Sequence, residues 1–220
     1  MKTVNRNLRA EEIRDLVGDS PFMLEIGSHE GADTARFLAA MPGIRLHCFE
    51  PEQRAVARFK QAVGDDHRVK LYEKAVADID GPKPFYASTG RAADREDWDF
   101  SGSLHAPTGH LTRSPEIKFK PPVSVPCIRL DSWLAPDQPG DVAIDFIWAD
   151  VQGGQRDLIA GGRRTLGMTR YLYIKCHSIP LYDGEPTQAN LIEELNGIVG
   201  FEPLAVYDRE NILFRNRHIQ

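Results

Sequence analysis

The fold is decided by the stretch Glu25-Ile26-Gly27-Ser28-His29-Glu30-Gly31, which follows a compact apolar run at 22–26 and precedes a helix-like segment at 32–40. A strand, a glycine-containing turn and a helix in this order are typical of the first unit of a doubly wound α/β sheet. Gly27 has no Cβ, so the chain can turn tightly there and approach a ligand. Ligands of such sheets bind beyond the carboxyl ends of the strands. The stretch therefore predicts a cofactor loop.

Apolar runs alternate with helix-like segments along most of the chain, which predicts an α/β fold with a mainly parallel sheet and helices on both faces. The predicted strands are 22–26, 44–49, 69–76, 123–130, 144–149 and 171–176, with an added strand at 83–87. The predicted helices are 8–17, 32–40, 51–63, 155–166 and 187–199. Segments 201–206 and 212–215 predict a closing antiparallel hairpin.

The bulk properties limit the class of protein. A length of 220 residues suits one α/β domain over 1–220, and a net charge of -5 argues against a general nucleic-acid binder. Cys48, Cys127 and Cys176 form no CxxC pair, so free thiols in a reducing compartment are expected and a zinc site is not. No signal peptide and no run of about 18 apolar residues is seen, which predicts a cytoplasmic protein without a membrane span. Whether it forms a homo-oligomer is left open.

Residues 88–122 differ from the rest, because they are rich in glycine and proline and have no clear period. A long irregular segment inside a compact domain is often functional, so we predict a lid or a substrate wall. The aromatic residues and histidines in the segment favour this interpretation. A disordered insertion is the alternative.

The acidic residues around the loop select among cofactors. Glu50 ends the second predicted strand about 23 residues after Gly27, close to the spacing of an acidic residue that binds ribose hydroxyls. An NAD site needs G-x-G-x-x-G to hold a pyrophosphate, and this loop lacks that pattern. Glu25 and Glu30 would also repel a diphosphate. S-adenosylmethionine has no phosphate and carries a sulfonium and an ammonium, so the acidic loop favours it.

Further motifs occur in order after the loop: Phe49-Glu50-Pro51, Ala75-Val76-Ala77-Asp78, Ser101-Gly102-Ser103-Leu104, Arg129-Leu130-Asp131 and the run from Ile144 through Asp150-Val151-Gln152-Gly153. Over about residues 20 to 205, the series resembles the FkbM-type S-adenosylmethionine-dependent methyltransferases. The resemblance implies a class I, Rossmann-like fold with a seven-stranded sheet that ends in an antiparallel strand. It also implies O-methylation of a hydroxyl on a small molecule, sugar or glycan.

Cofactor contacts follow from the same resemblance. Glu25, Gly27 and Ser28 would touch the methionine half of the cofactor, and Glu50 the ribose. Residues near adenine would be Ala75 and Val76, while residues 101–104, including Ser103, would border cofactor or substrate. Glu30 and Asp150 are also predicted to bind the cofactor.

The chain departs from the family pattern at three positions. Gln152, Gln155 and Lys175 stand where members of the family often carry acidic residues. Mg²⁺ prefers carboxylate oxygens and water as ligands, so a metal site would have to rest on Asp150 alone. Dependence on Mg²⁺ is therefore doubtful.

The candidates for proton transfer are Asp150, His177 and His105. Asp150 follows the predicted strand 144–149 beside the predicted cleft, although it could instead cap the next helix. His177 follows the predicted strand 171–176 and has a pKa range suited to base work, but it could be a partly buried loop histidine. His105 lies in the predicted lid and could reach the acceptor on closure, or remain a surface residue.

Two other functions stay open from the sequence. A non-catalytic module that binds S-adenosylmethionine or serves in assembly is suggested by Gln152 and Gln155. An NAD-linked enzyme is the weaker of the two.

Overall fold

The computed structural model describes residues 1–90, 98–134 and 143–219. Eight strands form the large sheet, in the spatial order β1 (Lys2–Val4), β12 (Phe201–Tyr207), β13 (Asn211–Asn216), β11 (Thr169–Lys175), β10 (Ile144–Ala149), β2 (Phe22–Ile26), β3 (Arg45–Phe49) and β4 (Val69–Tyr72). β13 is antiparallel to both of its neighbours, and the remaining pairs are parallel. The mainly parallel sheet and the β12–β13 hairpin agree with the sequence prediction.

Helices pack on both faces of this sheet. α1 (Ala10–Val17), α2 (Ala32–Ala40) and α3 (Gln53–Val63) cover one face. The other face is covered by α5 (Leu130–Trp133), α6 (Gln155–Gly161), α7 (Arg163–Gly167) and α8 (Gln188–Val199). Alternate residues of β2 enter the two cores, Met23 on the first face and Leu24 on the second. Because both faces are covered, β2 is buried along its whole length and is apolar except at Glu25.

The expected count of seven strands is wrong for this sheet, because β1 adds an eighth at the edge beside β12. β1 has three residues, two of them exposed. So short and exposed a strand shows no apolar alternation from which it could be predicted.

The predicted strand 69–76 is also wrong as one element. β4 ends at Tyr72, and the chain turns before β5 (Ala75–Val76), with the Lys74 amide donating to the Tyr72 carbonyl at 2.8 Å. β5 pairs with β9 (Val123–Ile128), which also pairs with β6 (Gly81–Phe85). Residues 123–128 of the predicted strand 123–130 thus belong to a second, three-stranded sheet, whereas Leu130 begins α5. The break matters for function, since it places Ala75 and Val76 beside the large sheet's carboxyl edge.

The described part of the 88–122 segment is held by pairing and burial. β7 (Ser88–Thr89) pairs with β8 (Lys118–Phe119), and α4 (His110–Arg113) lies between them in the chain. Tyr86 and Ser103 form an isolated antiparallel bridge. These contacts favour a packed wall over a disordered insertion for residues 88–90 and 98–122. Residues 91–97 of the predicted lid lie outside the described residues, and movement of the segment stays a prediction.

All three cysteines are free and buried, as expected. No described helix combines the length and the apolar character needed to cross a bilayer. The single domain and the cytoplasmic location stay predictions, and the oligomeric state stays open.

The predicted helix 155–166 is interrupted at Gly162 and forms α6 and α7. α6 approaches the second sheet closely at Gly161, where a Cβ would lie 2.0 Å from the Ala77 carbonyl oxygen. Only a glycine fits this contact. It fixes the distance between α6 and the residue that follows β5.

We therefore expect Gly161→Ala to destabilise the protein by about 2 kcal/mol, since overpacking forces the backbone to shift. Gly167→Ala is the matched control, because a Cβ there meets nothing within 4 Å. Alanine is the better helix former, so the control should be neutral or slightly stabilising. Urea denaturation measures both, and equal free energies of unfolding for the two variants would contradict the close contact.

Candidate active site

A cleft opens at the carboxyl ends of β2, β3 and β10, where the strand order of the large sheet reverses. Such a switch point is where doubly wound sheets bind ligands. The cleft has a cavity volume of about 120 Å³ and continues into open solvent at its mouth. Apolar side chains form much of the wall: Ile26, Phe49, Val76, Phe85 and Leu104. Polar residues are interspersed with them, including Glu50, Asp99, Ser103, Asp150 and Gln152.

Gly27 joins the strand ends that form the floor of this cleft. Its φ is +83°, and a Cβ would lie 2.1 Å from the Asp150 carbonyl oxygen. The Gly27 amide donates to the Phe49 carbonyl at 2.9 Å, and the Asp150 amide donates to the Ile26 carbonyl at 2.9 Å. A residue without a side chain is therefore required where the loop passes β10.

Glu50 is the buried acid of the cleft. One carboxylate oxygen accepts from the His29 amide at 2.9 Å, and the other from the Glu52 amide at 2.8 Å. Burial raises the pKa of Glu50 to about 7, against the lowering effect of these two amides. Each carboxylate oxygen keeps a free lone pair, so the group can accept further hydrogen bonds from a ligand.

Asp99 was missed by the sequence prediction although it lines the same cleft. His29 Nε2 lies 2.9 Å from one carboxylate oxygen, and Arg58 donates to the other at 2.6 Å. Burial opposes the charge of Asp99, but these two partners outweigh it and lower its pKa to about 2. The neighbouring ring of Phe100 packs on His29, with centroids 4.2 Å apart. This cluster attaches the 88–122 segment, the predicted wall, to the cofactor loop. In the sequence, the only indication of such a contact was the aromatic content of that segment.

Asp150 lines the opposite side of the cleft, directly after β10. Its Oδ1 accepts from the Gln152 side-chain amide at 2.7 Å, and its Oδ2 from Lys175 Nζ at 3.3 Å. Two of the residues that depart from the family pattern thus contact this one carboxylate.

Six of the predicted cofactor-binding residues line the cleft: Gly27, Glu50, Ala75, Val76, Ser103 and Asp150. Glu25, Ser28 and Glu30 do not. Glu25 lies beneath the loop, where it accepts from the Thr34 hydroxyl at 2.5 Å and from the Cys48 thiol at 3.6 Å. Strand alternation explains this position, since Glu25 is on the face of β2 that packs against α2.

Glu25 and Glu30 do not give the cleft the negative charge that the sequence suggested. Burial raises the pKa of Glu25 to about 8, which favours its neutral form. Glu30 forms an ion pair with Arg58 at 2.9 Å. Ser28 differs from both, because its hydroxyl is buried and has no hydrogen-bond partner among the described residues.

The two candidate histidines lie outside the residues that line the cleft. His105 Nε2 is 3.3 Å from the Asp157 carboxylate, which also binds Lys83. His177 Nδ1 is 2.7 Å from the Glu185 carboxylate, and both side chains are buried. Of the three candidates for proton transfer, Asp150 alone reaches the cleft wall.

Comparison with known proteins decides the family. The model of the methyltransferase FkbM domain matches residues 25–208. The chain belongs to the FkbM methyltransferase family. This confirms the resemblance inferred from the sequence, and with it the expectation of an S-adenosylmethionine-dependent methyltransferase.

One curated relative is the 2-O-methyltransferase NoeI of Sinorhizobium fredii (strain NBRC 101917 / NGR234), which is 39% identical over 199 residues, covering 89% of this chain and 79% of the relative. Solved structures agree on the fold. An O-methyltransferase family protein from Burkholderia thailandensis has a TM-score of 0.53 at 9% identity, covering 94% of this chain and 55% of that one. A structure described as a putative rRNA-methylase from Clostridium thermocellum has a TM-score of 0.52 at 11% identity, covering 94% and 92%.

The burial of Glu25 gives a testable dependence of stability on pH. Its pKa of about 8 in the folded protein lies above the ordinary 4.5. Its stabilising contribution is therefore complete below pH 4.5 and is lost as the pH rises through 8, because the unfolded chain ionises freely. We expect the melting temperature of Glu25→Gln, relative to that of the wild type, to increase between pH 6 and 9.

Glu193→Gln removes an exposed carboxylate of α8 and serves as the control. Its difference from the wild type should not change with pH. Thermal unfolding followed by circular dichroism measures all three proteins, and a constant difference for Glu25→Gln would contradict a buried, neutral carboxyl group.

Proposed function

We propose that this protein transfers a methyl group from S-adenosylmethionine to a hydroxyl of a sugar, glycan or glycosylated small molecule. The proposal rests on one observation: Glu50 and Asp150 line opposite sides of a single cleft, and Gly27 holds the ends of β2, β3 and β10 together between them. One acid is available to the cofactor and the other to the acceptor.

The residues of the cleft fit the cofactor. Glu50 can accept from both ribose hydroxyls, and the apolar walls at Val76 and Phe85 suit the adenine ring. The turn at Gly27, which lines the cleft and carries no side chain, suits the methionine half. When bound, S-adenosylmethionine supplies a methyl group already activated by a sulfonium.

Asp150 is the residue that we assign to the acceptor. Bound S-adenosylmethionine would supply the methyl group to the acceptor oxygen, and the Asp150 carboxylate would accept the proton that this hydroxyl loses. The chain contributes orientation, because methyl transfer needs the acceptor oxygen about 3 Å from the methyl carbon and in line with it. His105 and His177 are less suited to this step, because each is engaged by a carboxylate away from the cleft wall.

The acceptor class has two supports. The relative NoeI is named as a 2-O-methyltransferase, which favours a hydroxyl acceptor. Phe100 lines the cleft and is 43% exposed. Its apolar face suits the carbon face of a sugar ring, and the neighbouring polar groups suit hydroxyls.

A non-catalytic module remains the second candidate, because Gln152 and Gln155 replace acids. Gln155 has a structural partner, since its amide donates to the Lys175 carbonyl at 2.9 Å. A panel of sugars, oligosaccharides and glycosylated small molecules, offered with radiolabelled S-adenosylmethionine, separates the two. Transfer to any hydroxyl excludes the module, whereas cofactor binding without transfer supports it.

Cofactor binding should depend on Glu50 and on pH. The ionised carboxylate accepts from both ribose hydroxyls, so affinity for S-adenosylhomocysteine should increase as the pH rises through about 7, where Glu50 loses its proton. Glu50→Gln should bind roughly tenfold or more weakly at pH 8, because a hydrogen bond to a charged group is worth about 1.5–3 kcal/mol. It should also show a flat pH profile. Calorimetric titration measures both, and equal affinities at pH 8 would refute the ribose role.

Asp150→Asn should lower kcat by roughly 10²- to 10⁴-fold, the usual contribution of a general base. Affinity for S-adenosylhomocysteine should be retained, because Asp150 is assigned to the acceptor. Asp183→Asn, which changes an exposed acid in the turn after Tyr182, is the control. Initial rates with the acceptor found in the panel measure the effect, and normal turnover of Asp150→Asn would remove Asp150 from the reaction.

A further inference from the structure

Lys175 lies beside Asp150 because of the strand register. β10 and β11 are parallel neighbours, with Ala149 opposite Ile174, so Asp150 and Lys175 occupy equivalent positions at the carboxyl edge. Lys175 Nζ is 3.3 Å from Asp150 Oδ2, and three-quarters of the Lys175 side chain is covered. Burial opposes the charge on Lys175, but Asp150 outweighs it and raises the lysine pKa.

The second oxygen of Asp150 is held by a separate chain of contacts. Gln152 donates to Oδ1 at 2.7 Å, and its own amide oxygen accepts from the Tyr182 hydroxyl at 2.8 Å. Gln152 adopts a left-handed φ of 42°, which is unfavourable for a residue with a side chain and persists only where its surroundings hold it. Gly153 allows Tyr182 to pack directly on this loop, since a Cβ there would lie 2.6 Å from Tyr182 Cβ.

These contacts engage both carboxylate oxygens of Asp150 and leave few ligands for a divalent cation. Mg²⁺ favours carboxylate oxygens and water, whereas the Lys175 ammonium group occupies Asp150 Oδ2 and repels a second cation. Within residues 1–90, 98–134 and 143–219, no three His, Cys, Asp or Glu side chains are grouped closely enough to hold a metal ion. The side chains around Asp150 therefore do not fit the Mg²⁺ that the sequence left open.

We propose that Lys175 is a positioning residue that takes the place of a divalent cation beside Asp150. Its ammonium group balances the charge of the carboxylate and fixes Oδ2, while Gln152 and Tyr182 fix Oδ1. The carboxylate is thereby held toward the acceptor without a metal, and methyl transfer proceeds in the presence of a chelator. The proposal rests on the function proposed above for Asp150.

Metal binding tests the proposal without any acceptor. Electron paramagnetic resonance of Mn²⁺ titrated into the full chain should show only free ion for the wild type, and the same for Asp150→Asn. A bound Mn²⁺ signal in the wild type that Asp150→Asn abolishes would overturn the proposal. This result is independent of whether methyl transfer is observed.

Kinetics test the positioning role. Lys175→Met should lower kcat by roughly 10- to 100-fold, the scale of a misplaced reacting group, with little change in affinity for S-adenosylhomocysteine. Lys175→Arg keeps the positive charge and should recover most of the activity. Lys60→Met removes an exposed ion pair with Glu73 and should change nothing.

The last test compares the rate of methyl transfer with and without a chelator. Treatment of the wild type with EDTA should leave its rate unchanged. Loss of activity with EDTA and its return with Mg²⁺, or a normal kcat for Lys175→Met, would overturn the proposal. Absence of transfer to every acceptor would instead count against the proposed function, and the Mn²⁺ titration would still decide the metal question.

Discussion

The close approach of Gly27 to the Asp150 carbonyl is the constraint on which the site depends. Neighbouring parallel strands keep a fixed spacing, so a loop that leaves one strand can cross the end of the next only where no side chain intervenes. The turn at Gly27 brings the cofactor loop, the end of β3 and the end of β10 to a common edge. A side chain at this position would separate Asp150 from the cleft that contains Glu50.

The sequence was sufficient to predict the parallel strands and the residues that lie at their carboxyl ends. The apolar runs that became β2, β3, β10 and β11 predicted a mainly parallel sheet, and the carboxyl ends of its parallel strands place Gly27, Glu50 and Asp150 at one edge. β1 and the break after Tyr72 were not predictable in this way. A three-residue exposed strand has no period, and a two-residue strand such as β5 is defined by its partner rather than by its own sequence.

The directions of the side chains were harder to predict from the sequence than the strands were. Glu25 appeared in the sequence to be part of an acidic loop, but a shift of one position along a strand turns a residue to the opposite face. The contacts of Gln152 with Tyr182, and of Asp99 with Arg58, join residues that are 30 and 41 positions apart. No local pattern encodes such pairs. Gln152 and Lys175 drew attention in the sequence as departures from the resemblance to the family, and the structure shows that both contact Asp150.

The balance of charge around the cleft has a consequence for product release. Of the four acids that line its described part, Glu52, Asp99 and Asp150 each have an ion-pair partner, and Glu50 is bound by backbone amides. Methyl transfer converts a cationic cofactor into a neutral one, and a strongly negative site would lose attraction for it at that moment. Most of the negative charge of this cleft is already compensated. The electrostatic attraction between the cleft and the cofactor therefore changes little when the methyl group is transferred, and it does little to promote release of the product. Exchange must then depend on the contacts of the ring systems and on the wall segment that His29 and Arg58 hold in place.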